Sequence, residues 1–213
     1  SGKGMGSTSG NVTIQTADGG TSGMSGQIHL ETGRSTFGNS GLINITSGNA
    51  ASGTAGDITI AVGTGNSGKG GSVSIFAGET SASRSGGKIE LVSGRGTETS
   101  SGFIMLRTSN AGTLGQSGSV SIFSGTGSMG NTGSLLLSTG TAKSGNGGNI
   151  HLYVGSGDSG NGGEIKLSAG LTTGLVPAAT GGRISIESGY STTATSGSIS
   201  IGSVNAGQDG VSG

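Results

Sequence analysis

Three stretches of the chain have the spacing of a phosphate-cradling glycine loop. They are Gly63, Gly65 and Gly68; Gly125, Gly127 and Gly130; and Gly155, Gly157 and Gly160. The first runs on to Lys69, so that residues 63–69 read GTGNSGK. A nucleotide loop needs a helix after it, whose N-terminus receives the phosphates, and a Ser or Thr hydroxyl for Mg²⁺. Gly70 stands where that hydroxyl belongs, and each match leads into another alternating apolar stretch. These glycines read as corners of a repeat. Metal chemistry finds little to work with. There is no Cys, the only histidines are His29 and His151, and the corner Asp is nearly confined to Asp158. Calcium-binding repeats place an Asp in every turn, because Ca²⁺ takes several oxygen ligands. Ser is abundant, but no His stands near enough in the pattern to activate one as a nucleophile. The expectation is a protein with no catalytic residue, no cofactor and no metal site.

Composition points the same way. Of 213 residues, 51 are Gly, 38 Ser and 25 Thr. Only 29% are hydrophobic and 9% charged, against roughly 25% charged in an ordinary domain. Such a chain cannot build the thick core of a conventional enzyme. A single Pro and no three-residue glycine period exclude collagen. Ten basic residues balance ten acidic ones, so no nucleic-acid partner is expected. No apolar run reaches the roughly 18 residues of a membrane span. No signal peptide is visible, which suggests a mature or excised segment.

Composition alone would suit a disordered linker, but the order of the residues is regular. The block Gly-x-(Ile/Val/Leu)-x-(Ile/Leu)-x-x-Gly recurs, as in GQIHLETG, GKIELVSG and GRISIESG. Its leading glycine falls at Gly10, Gly26, Gly41, Gly56, Gly71, Gly87, Gly102, Gly118, Gly133, Gly148, Gly163, Gly182 and Gly197. The thirteen copies are spaced by 15 or 16 residues, except one of 19 that begins at Gly163. Positions three and five are aliphatic in every copy, from Val12 and Ile14 to Ile199 and Ile201. Position eight is Gly in ten of the thirteen. A second glycine row precedes the next block by three residues, as at Gly23, Gly68, Gly115, Gly145 and Gly160.

Apolar residues at period two predict a β-strand with one buried face in each copy. One such segment cannot bury that face alone, and stacking at about 4.8 Å would solve the problem. The predicted fold is all-β: a β-solenoid (β-helix), of either hand, with about thirteen coils of 15–16 residues over 1–213 as a single continuous domain. The aliphatic rows would form its inner wall, with Phe37, Leu114 and Met129 filling the opposing side. In such a stack His29 and His151, both at position four, would lie roughly 38 Å apart. The pattern resembles the Gly/Ser/Thr-rich β-solenoid repeats of surface adhesins, ice-binding proteins and fibrous cell-surface or viral appendage proteins. That resemblance covers the whole chain. It implies an extracellular or cell- or virion-surface location, and self, glycans or ice as partners.

The remaining positions suggest contacts. Large apolar residues on the outward face are Phe76, Val92, Phe103, Met105, Phe123, Leu136 and Tyr153. Together they predict a lateral interface between rods. The longer copy carries a predicted projecting loop at about 171–181, where Leu171, Leu175 and Val176 could touch a neighbour and Pro177 cannot join a ladder. Glu79 with Arg95, and Glu164 with Arg183, would pair between adjacent coils. Asn11 and Asn44 open N-x-Thr sequons, candidate glycosylation sites. Thr13, Thr46 and Thr59 are too few for a regular ice-binding row. No capping coil is seen at either end, which predicts part of a longer fibre or end-to-end stacking. The functional expectation is a structural filament protein. An ice-binding or adhesin surface and a passive rigid spacer are the alternatives.

Overall fold

A computed structural model describes residues 8–174 and 179–213. The chain divides into two units, Ser1–Leu106 and Arg107–Gly213. Among the described residues there is no helix and no β-strand. The predicted all-β solenoid is therefore not what the chain adopts.

At least four of the thirteen blocks are extended arms whose side chains alternate. Four contacts between residues two apart show it. His29 Nε2 lies 3.1 Å from Glu31 Oε2, and Lys88 Nζ 2.5 Å from Glu90 Oε2. The Ser185 hydroxyl donates to Glu187 Oε1 at 2.9 Å, and Tyr153 Oη lies 3.2 Å from His151 Nδ1. Each pair occupies neighbouring even positions of one arm. Residues i and i+2 share a face only when the backbone is extended.

The arms do not pair with one another. Backbone bonds join the two ends of a loop instead. The amides of Gly87, Gly102, Gly182 and Gly197 donate to the carbonyls of Gly78, Gly94, Gly170 and Gly189 at 2.9, 2.9, 2.8 and 2.9 Å. In every case the leading glycine of one copy bonds to the eighth residue of the copy before. The loop between is closed at a neck, and the arms it joins form no backbone ladder. The 19-residue copy keeps the same neck, at Gly170 and Gly182, so its extra residues enlarge only the loop.

The apolar rows consequently have no wall to form. No hydrophobic side chain among the described residues is buried. Ile58 is 53% exposed and Ile60 76%, while Phe37 and Met129 stand almost wholly in solvent. Leu114, the third residue assigned to an opposing wall, is equally open. The chain exposes 21738 Å², where a globular fold of its mass would expose about 8,700 Å² and the extended chain about 29,000 Å².

The physical reason lies in the composition. Pairing whole arms would order every residue of each block, and glycine loses more freedom than any other residue. The return is two aliphatic side chains per copy, at about 1.5–3 kcal/mol each when fully covered. Closing one short loop costs far less entropy than aligning two arms. Necks therefore form within the chain, and ladders do not.

Candidate association surface

The necks are where adjacent copies touch. They rest on a position that the sequence pattern did not single out. Position seven lies beside the leading glycine of the next copy at all twelve junctions. A Cβ placed on Gly26, Gly41, Gly118 or Gly148 would fall 3.1, 3.3, 3.2 and 3.3 Å from Thr16, Thr32, Thr108 and Thr139. On Gly71 and Gly163 it would fall 2.5 and 2.6 Å from Val62 and Val154. On Gly56, Gly102, Gly133 and Gly197 it would meet Ser47, Ser93, Ser124 and Ser188 at 3.8, 3.5, 3.9 and 3.6 Å. On Gly87 and Gly182 it would meet Ala77 and Ala169, both at 3.3 Å. Only Thr, Ser, Val and Ala occupy position seven in the thirteen copies. That restriction to small or β-branched residues was the available signal.

The same contacts provide what little covering the chain has. Seven described residues are half-buried: Thr16, Thr32, Ser93, Gly96, Thr108, Ala169 and Ser191. Five of them are position-seven residues. Thr16, Thr32 and Thr139 also donate their hydroxyls to the carbonyls of Gly26, Gly41 and Gly148 at 3.2, 3.3 and 3.4 Å. Ser203, at position seven of the last copy, donates to the Gly213 carbonyl. A side-chain hydroxyl thus seals a neck where no backbone bond does.

The second glycine row shapes the loops. Gly23 and Gly115 close four-residue turns on the carbonyls of Gly20 and Gly112 at 3.2 and 3.3 Å. Gly68 and Gly160 have φ of 78° and 82°, a region that favours glycine. Two of the three glycine-loop look-alikes end on these positions, with no helix following.

Each candidate contact residue among the described residues is exposed, and the structure brings few of them together. Phe76, Val92, Phe103 and Met105 belong to the first unit, and Phe123, Leu136 and Tyr153 to the second. Phe103 and Met105 share one face of one arm. Tyr153 finds its partner within its own arm, stacking on His151 with ring centroids 5.5 Å apart and planes 14° apart. Leu171 is exposed in the enlarged loop. Leu175 and Val176 lie outside the described residues. Asn11 and Asn44 are exposed on arms. The inter-coil charge pairs are not formed. Neither Glu79 with Arg95 nor Glu164 with Arg183 makes an ion pair, and the pairs present lie within single arms. The cause is again the missing ladder, without which the side-by-side neighbour of each charge is absent.

Among the described residues there is no cavity and no cluster of metal-ligating side chains. No helix among them is long and apolar enough to cross a membrane. What the arms present is a repeated apolar face: two aliphatic side chains per copy, open to solvent, on a backbone whose amides and carbonyls are largely unpaired. No family model, no curated protein and no solved structure matches this chain.

Proposed function

We propose that the chain is a non-enzymatic structural protein that works by associating with further copies of itself, in an extracellular or cell- or virion-surface setting. One observation carries the reading. All thirteen aliphatic pairs are solvent-facing, at regular intervals. Contiguous exposed apolar surface marks an interaction face, and an unpaired extended backbone is a template for another chain. A chain that covers none of this surface itself leaves it for association. The necks set the interval between arms, and the absence of net charge removes like-charge repulsion between copies. The outward residues Phe76, Phe123 and Tyr153 add lateral contacts.

The test is electron microscopy and sedimentation of the purified chain across a wide concentration range. Assemblies that grow with concentration support the reading. Single chains at every concentration overturn it and leave the passive spacer. Thermal-hysteresis and glycan-binding assays on those single chains would then separate a spacer from an ice-binding or adhesin surface.

A further inference from the structure

Two loops share a sequence found nowhere else in the chain. Asn146, Gly147 and Gly148 precede one arm, and Asn161, Gly162 and Gly163 precede the next. The two glycines of each doublet differ. Gly148 and Gly163 stand at necks, where an added Cβ would fall 3.3 Å from Thr139 and 2.6 Å from Val154. Gly147 and Gly162 have no atom within 4 Å of an added Cβ. Their amides donate to no backbone acceptor among the described residues. Both asparagines are exposed. A free amide nitrogen with no side chain on its own residue therefore follows each exposed carboxamide.

We infer that Asn146 and Asn161 are sites of spontaneous deamidation that alters the necks beside them. The chemistry needs only water. The Gly147 backbone nitrogen attacks Cγ of Asn146. A new C–N bond closes a five-membered imide, and the side-chain nitrogen leaves as ammonia, taking up the proton that the backbone amide gives up. Water then opens the imide at either carbonyl, leaving aspartate or isoaspartate. No electrons are transferred. The same steps apply to Asn161 and Gly162.

The product is not neutral in its effect. Two new carboxylates enter a chain whose formal net charge is +0. Isoaspartate also inserts a methylene into the backbone one residue from Gly148, whose carbonyl accepts from Thr139 at 3.4 Å. The modification therefore loosens that neck and makes aged chains more acidic. Other loop asparagines are equally exposed but precede a side chain: Asn39 before Ser40, Asn66 before Ser67 and Asn131 before Thr132. A side chain on the attacking residue obstructs ring closure, so these serve as controls within the same molecule.

The experiment is peptide mapping by mass spectrometry on the full chain, incubated in mildly alkaline buffer and sampled over time. Asn146 and Asn161 are expected to gain one mass unit several-fold faster than Asn39, Asn66 and Asn131, with isoaspartate among the products. Gly147→Ala should slow Asn146 alone and leave Asn161 as the internal reference. Gly162→Ala should do the reverse. The open space at both glycines accommodates the added methyl. Equal rates at all five asparagines, or no slowing in the matching Ala variant, would overturn the inference.

Discussion

Replacing Gly87 by Val should open one neck and leave the others closed. The Gly87 amide donates to the Gly78 carbonyl at 2.9 Å. A Cβ on residue 87 would sit 3.1 Å from the Gly78 nitrogen, 3.3 Å from Ala77 Cβ and 3.4 Å from the Gly78 oxygen. Two of those atoms are backbone and the third is a Cβ, so none can swing away as the tip of a long side chain would. Valine adds two further methyls to that crowded position. Overpacking of this kind costs about 1–3 kcal/mol. The bond that holds the neck is worth about 0.5–1.5 kcal/mol, which corresponds to about 2- to 10-fold protection of the amide. The penalty therefore outweighs the bond. Amide hydrogen exchange read by NMR checks this directly. Residue 87 should exchange at the rate of a free amide, while Gly102, Gly182 and Gly197 keep their protection. Gly70→Val is the control, because nothing lies within 4 Å of a Cβ there. The reasoning fails if residue 87 stays as protected as Gly102, or if the Gly70 variant opens a neck as well.

Three further outcomes follow from the same geometry. Ile122→Asp should leave the isolated chain within about 0.5 kcal/mol of the parent, because Ile122 is already 59% exposed, yet it should reduce association measured by sedimentation. Replacing Phe76, Phe123 and Tyr153 together by Ser should remove side-by-side contacts seen in micrographs without changing the necks; bundles that persist would refute the lateral role. Ser144 holds φ 56°, a left-handed conformation that penalises side chains, so Ser144→Gly should favour its turn by about 0.5–1 kcal/mol after glycine's added freedom is subtracted. Chemical shifts and exchange rates across residues 143–148 report that gain, and a loosened turn would contradict it.

Local conformation was legible only in part. Alternating aliphatics predicted β-strands, which do not form among the described residues, but the alternation itself persists in contacts such as Lys88 with Glu90 and His151 with Tyr153, between even-numbered positions of one block. Positive φ was expected at the position-eight glycines, but none of them takes it; Gly68 and Gly160, in the second glycine row, do. Position seven was passed over because Thr, Ser, Val and Ala look unremarkable in a chain dominated by small residues. Its role appears only when the neighbour is known.

How the arms combine was not legible. A period-two apolar row demands some cover for its face, and the row reads identically whether that cover is the next coil, another copy or nothing. Pairing arms would set the freedom of many glycines against two aliphatic side chains per copy, whereas sealing a loop at Gly78 and Gly87 orders far fewer residues. The repeat and its alternation belong to the sequence, because they depend on bonds and side chains within a few residues. The choice of neck over ladder belongs to the tertiary structure, because it depends on a balance of entropy and burial across whole copies.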